Sequence, residues 1–194
     1  VLLGNVSSAF AQTSTTWLPE FQSGKQIYVD PKLSNHRSYP VSFPDLESKL
    51  EVAGQKHGLK VYFVATEQGS DIGFHSTPAI AALEELQNRW SANPNLEKEN
   101  YLIVLWVRRV DDPNRGSVAG VGGNALKAIG LDENYFSDAT DGPIRPFLRQ
   151  FMPQDPGGLV LKVAFEVNDD ISSIKFQQML PYYIAIGILV ALVL

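Results

Sequence analysis

The chain has 194 residues, 44% of them hydrophobic and 19% charged, a balance that excludes disorder and provides for one domain of ordinary size with segments to spare. Its 16 basic residues against 21 acidic ones leave a net charge of −5, without the basic excess that a phosphate backbone demands, so no nucleic acid is expected as a partner. The absence of cysteine excludes thiol nucleophiles, disulfides and cysteine-zinc sites.

In chain order, Val1 to Ala11 (VLLGNVSSAFA) is apolar and closes on the small-residue pattern Ala9-x-Ala11. That pattern reads as the end of a secretory signal peptide or, if uncleaved, an N-terminal anchor. Residues 12–24 read as a linker and residues 25–173 as the globular domain. Gln26 to Val29 is a short strand that stops at Asp30-Pro31. Pro44 to His57 is a helix, with Leu46, Leu50 and Ala53 on one face and Gly58 as its stop. Val61 to Thr66 (VYFVAT) has the unbroken apolar character of a strand covered on both sides. A helix opens at Thr77-Pro78 and carries Ile80, Leu83, Leu86 and Trp90 on one stripe. Tyr101 to Val107 (YLIVLWV) is the central strand, and after the turn Asp111 to Arg115 a third long strand runs from Gly116 to Val121.

Beyond Asn124 the pattern is of short helices and loops, with one helix expected behind Pro143 from Ile144 to Phe151. Leu159 to Ile171 carries two periods at once. Val163, Val167 and Ile171 recur every fourth residue, while Leu161, Val163, Phe165 and Val167 alternate with other residues. The Asp155-Pro156 pair, a good N-cap and first turn, favours helix. Interleaved strands and helices give an α/β class, a small central sheet covered by helices on both faces. Residues 176–194 read as the start of a transmembrane helix. Its last thirteen residues, Tyr182 to Leu194, carry no charge, and Tyr182 and Tyr183 would sit at the headgroup level.

The candidate chemistry is sparse. His36, His57 and His75 are scattered without metal-binding spacing, and His57 reads as the last-turn cation of its helix. Gly120-Val121-Gly122-Gly123-Asn124-Ala125 matches G-x-G-x-x-A, which cradles a dinucleotide pyrophosphate or, more plainly, marks a turn where glycine permits positive φ and close backbone approach. The loop from Asp132 to Gly142 gathers Asp132, Asp138 and Asp141, hard oxygen donors suited to calcium, although the spacing is not that of an EF-hand. The plainer reading is a set of solvated carboxylates with Asp141 as a helix cap.

The order of these elements resembles the TPM domain family. The resemblance is carried by Tyr28-Val29-Asp30 with Leu33-Ser34, the strand Val61 to Thr66, the helix ending at Trp90 and the strand Leu102 to Val107. Val121-Gly122-Gly123-Asn124-Ala125-Leu126 and the helix Pro146 to Phe151 complete it. The resemblance implies an α/β/α sandwich tethered to a membrane outside the cytoplasm, as in a thylakoid lumen protein and a photosystem II repair protein. It also implies three activities credited to members: calcium binding, acid phosphatase activity, and the assembly or repair of membrane complexes. Through it Asp30 joins the candidate metal residues; the alternative for Asp30 is an Asx-turn before Pro31.

Two functions follow as expectations. In the first, the domain lies on the periplasmic, lumenal or extracellular side of a membrane and serves as an interaction, assembly or maintenance factor of a membrane protein complex. In the second, it is a metal-assisted phosphatase. The first is preferred, because no nucleophile is seen paired with a base.

Overall fold

The computed structural model describes residues 17–34, 45–67, 78–97, 100–108, 116–132, 135–136 and 156–193. The signal-peptide segment, His36, His75, the turn at Asp111 to Arg115 and the helix expected behind Pro143 lie outside them.

Four strands form one mixed sheet in the order β1 (Ile27–Val29), β2 (Leu59–Glu67), β3 (Asn100–Arg108) and β4 (Gly116–Gly122). The first three are parallel and β4 returns antiparallel to β3. The helices are α1 (Pro31–Ser34), α2 (Leu46–Gln55), α3 (Pro78–Ser91), α4 (Pro94–Glu97), α5 (Asn124–Lys127) and α6 (Pro156–Val193). The α/β class is as the sequence indicates, and Leu159 to Ile171 is helix rather than strand.

Side chains alternate across β2 and β3 and so build two cores. Val61, Phe63 and Ala65 with Leu102, Val104 and Trp106 pack under α2 and the inner half of α6. Tyr62 and Val64 with Ile103, Leu105 and Val107 pack under α3, α4 and the segment around Leu18. Trp90 anchors the second core. Its ring lies 5.1–5.6 Å from those of Phe21, Tyr28 and Tyr62, and its Nε1 donates to the Pro19 carbonyl at 2.9 Å. A fully buried indole thus pins the chain that leads into β1 and satisfies its own polar tip.

The strand order steps in one direction, yet α2 lies on one face and α3 on the other. The two parallel crossovers therefore have opposite hands, one of them the rare left-handed sense. A consequence is local to β1 and β2: the chain leaves their carboxyl ends toward opposite faces, which is where α/β sheets form a crevice.

The longest element is α6, with 38 residues. Leu159, Val160, Val163, Ala164, Val167 and Ile171 form its buried stripe, with the spacing of one helical face. From Lys175 to Ala191 every residue is exposed, including Ile184, Ile186, Ile188 and Leu189. This outer half is apolar and, with the whole helix, long enough to cross a membrane, and its apolar window is 0% buried, unlike a core helix of the same composition. The helix continues through Pro181 without a break in its assignment.

Gly58, at φ 63°, turns the chain from α2 into β2 in a conformation that costs little only for glycine. Gly54 serves a different need: a Cβ there would stand 1.9 Å from the Leu59 carbonyl oxygen, so α2 is pressed against the start of β2. Gly54→Ala is expected to lower the unfolding free energy by about 1–3 kcal/mol. At an open helical position the same change is stabilising by about 1 kcal/mol. Urea unfolding followed by tryptophan fluorescence distinguishes the two, and a neutral or stabilised variant would contradict this packing.

Candidate functional site

The carboxyl edge of the parallel strands collects the polar residues of the sheet. Asp30 follows β1, Thr66 and Glu67 end β2, and Arg108 ends β3, directly opposite Glu67 in register. Arg108 Nη2 donates to Glu67 Oε2 in an ion pair whose side chains are only 10% and 19% exposed. Arg108 Nε and Nη1 are buried and meet no acceptor among the described residues. Thr66, fully buried, donates its hydroxyl to the Trp17 carbonyl at 2.7 Å, so the incoming chain closes this edge on the α3 side.

Asp30 is 2% exposed, its backbone N–H donating to Ala65 O and its Oδ1 accepting from the Lys32 N–H at 2.9 Å. The second bond is the Asx-turn that starts α1. Asp132, half-buried, accepts from the Tyr135 N–H at 3.3 Å. Asp138 and Asp141 lie outside the described residues. Among the described residues no group of three His, Asp or Glu side chains gathers to hold a metal ion.

The glycine-rich run has a packing explanation. Within the run a Cβ on Gly122 would meet the Leu126 side chain at 2.7 Å and one on Gly123 the Tyr101 ring at 2.8 Å; ahead of it, one on Gly116 would meet the Trp106 indole at 2.5 Å. Positive φ is found at Gly24, Gly58 and Gly130 but at none of Gly120, Gly122 and Gly123. The run ends an antiparallel strand and opens a helix of four residues, so the strand-to-helix geometry of a dinucleotide cradle is not formed.

A second polar group lies where α6 meets α2. Asn168, 4% exposed, donates from Nδ2 to the Ala53 carbonyl and, at 3.0 Å, to its own helix at Ala164 O. One turn on, Ser172 Oγ donates to Asn168 O and lies 2.8 Å from His57 Nε2. Ser172 Oγ therefore stands within hydrogen-bond distance of both the Asn168 carbonyl and the imidazole. Burial, then the charges of Lys175 and Lys56, hold the His57 pKa below its usual 6.5. The last-turn cation expected from the sequence is therefore a neutral ring in the neutral range. On the other side of α6, Tyr135 donates to Asp170 Oδ2 at 2.5 Å, and burial followed by that bond raises the phenol pKa.

At the opposite, amino edge of the sheet β1 falls short of the start of β2. A groove of about 530 Å³ opens there between α2 and β2, lined by Gln26, Glu51, Val52, Gln55, Leu59 and Lys60. A scan against protein-family models finds no match for this chain, and a search of curated proteins likewise finds none.

Sequence reasoning missed the Glu67–Arg108 pair because both residues sit just past the apolar runs of their strands, at the last strand position. Asn168 carried a signal, a lone amide set between Val167 and Ile171 on an apolar stripe. Two measurements check this geometry. Glu67→Met alone is expected to cost about 3–5 kcal/mol, and Glu67→Met with Arg108→Met to recover most of it, because the single change leaves a buried guanidinium uncompensated. Equal losses in the two variants would show the pair to be unimportant.

The pH dependence follows from His57. Its folded pKa is depressed, so the unfolded chain binds more protons below about pH 6.5, and stability falls with pH from there to the folded pKa. Thermal melts across that window are expected to show a smaller acid loss in His57→Gln than in the native chain; parallel curves would contradict the half-buried, neutral imidazole.

Proposed function

We propose that the chain is a membrane-tethered docking domain that works as a subunit or maintenance factor of a membrane protein complex, with its globular part on the periplasmic, lumenal or extracellular side. The observation that carries the reading is α6, one helix whose inner half is a core element and whose outer half is bare and apolar. A bare face of Ile184, Ile186, Ile188, Leu189 and Val190 is stable only in lipid or against another apolar surface. Gly187 has nothing within 4 Å of an added Cβ, and with Ala191 it makes a small-xxx-small pair on which a second helix packs closely.

The side of the membrane rests on the Ala9-x-Ala11 signal ending ahead of the domain. The docking role is preferred to hydrolysis because Ser172 spends its proton on a backbone carbonyl and Asp30 is engaged in capping α1. Mild detergent extraction followed by native electrophoresis tests it. The chain is expected to migrate well above the 21.4 kDa of a monomer and to lose that partner on Gly187→Ile. Migration as a monomer, unchanged by the substitution, would overturn the reading.

A further inference from the structure

The polar fastening between α2 and α6 fixes which end of the domain faces the membrane. Asn168 reaches Ala53 and Ser172, one turn on, reaches His57 just past the end of α2, so α6 runs parallel to α2. It leaves the domain beside the last turn of α2 and the starts of β2 and β3, where Asn100 Nδ2 donates to His57 O. The amino edge of the sheet is therefore the edge next to the bare apolar helix. The carboxyl edge, with Asp30, Glu67 and Arg108, is at the far end of nine-residue strands, about 30 Å away.

The amino edge is basic. Lys56 is exposed just after α2, Lys60 is half-buried on β2 at the mouth of the groove, and Lys175 is exposed on α6. Lys56 and Lys175 converge closely enough that both act on His57. The nearest described acidic groups on the same two helices, Glu51, which lines the groove, and Asp170, which accepts from Tyr135, are each five residues back along the chain, about 7–8 Å along the helix axes toward the carboxyl edge. After Lys175 the sequence has no charged side chain through Leu194. From Lys175 to Tyr182 is seven residues, about 10 Å as helix, so the Lys175 stem stands beside the headgroup layer that the tyrosine pair marks.

We propose that Lys56, Lys60 and Lys175 form a basic collar that seats the amino edge of the sheet on anionic phospholipid headgroups. The inference rests on the membrane-tether reading and adds to it a lipid partner and a fixed orientation. Charge complementarity supplies the contact. In a chain of net charge −5, which an anionic surface would otherwise repel, three lysines stand at the point where the helix exits. Lysine stems also reach along an interface while keeping the ammonium in the headgroup layer.

The absence of native cysteine makes the test direct. The full chain with Gln55→Cys, spin-labelled at the groove beside the collar, is reconstituted in phosphatidylcholine vesicles with and without phosphatidylglycerol. Collisional accessibility to a water-soluble relaxant is then read. The label is expected to be shielded in the anionic vesicles and released at about 1 M salt, where the Debye length is about 3 Å. Replacing Lys56 and Lys175 by Gln is expected to lower the docked-to-free ratio about fivefold for each charge, and replacement by Arg to preserve it. An unchanged far-ultraviolet circular dichroism spectrum shows that these exposed substitutions leave the fold intact. If the chain is released from the vesicles by alkali, the tether itself fails. If it stays inserted and the label is equally accessible with and without anionic lipid, the collar is overturned while the tether stands.

Discussion

The face of the sheet that carries Val61, Phe63, Ala65, Leu102, Val104 and Trp106 is covered by α2 and the inner half of α6, and α2 has only ten residues to offer. Six buried apolar side chains of α6 complete that core. At about 1.5–3 kcal/mol for each large buried side chain, their removal would cost about as much as a domain's whole net stability. The domain thus depends on the same helix that emerges from it as a bare apolar rod. Asn168 and the Ser172–His57 pair fix the register between α2 and α6 just before that exit, with directional bonds where apolar packing alone would allow sliding.

Because the helix is shared, position and orientation are coupled. A loop between domain and apolar segment would leave the domain free to tumble, whereas a helical exit beside α2 sets the amino edge of the sheet toward the apolar segment. The two edges are chemically different. One carries Lys56, Lys60, Lys175 and a groove. The other carries a buried Glu67–Arg108 pair, a capped Asp30 and the closing contact of Thr66 with Trp17. The second edge is braced internally by groups that already hold one another, and the first is open.

Much of this was legible in the sequence, because the strongest signals are those of burial. The unbroken apolar runs around Phe63 and Val104 are strands covered on both faces, and the stripe Leu83, Leu86, Trp90 is a core helix. Val163, Val167 and Ile171, spaced by four, prevailed over the competing alternation, since Leu161 and Phe165 are less buried than their neighbours on the stripe. The continuity of α6 was not legible. The polar stretch Ser172 to Lys175 looks like a domain boundary at Ser173, but it marks a change of surroundings within an unbroken helix. The glycine run was legible as close approach and not in its conformation, since what decides Gly116 and Gly122 is the size of Trp106 and Leu126 on neighbouring elements. The Glu67–Arg108 pair depends on the parallel register of strands separated by a whole helix, which local pattern does not carry.

One rigid helix joins the core to the apolar segment. Asp169→Cys and Leu189→Cys, both at exposed positions, introduce two spin labels twenty residues apart, one on each side of Ser173 and Pro181. In the full chain in a lipid nanodisc, pulsed electron resonance is expected to give a narrow distance distribution near 30 Å, about 1.5 Å per residue, shortened slightly if Pro181 kinks the axis. A broad distribution centred well below that value would mean that the chain bends freely between the domain and the apolar segment, and would contradict a single rigid helix.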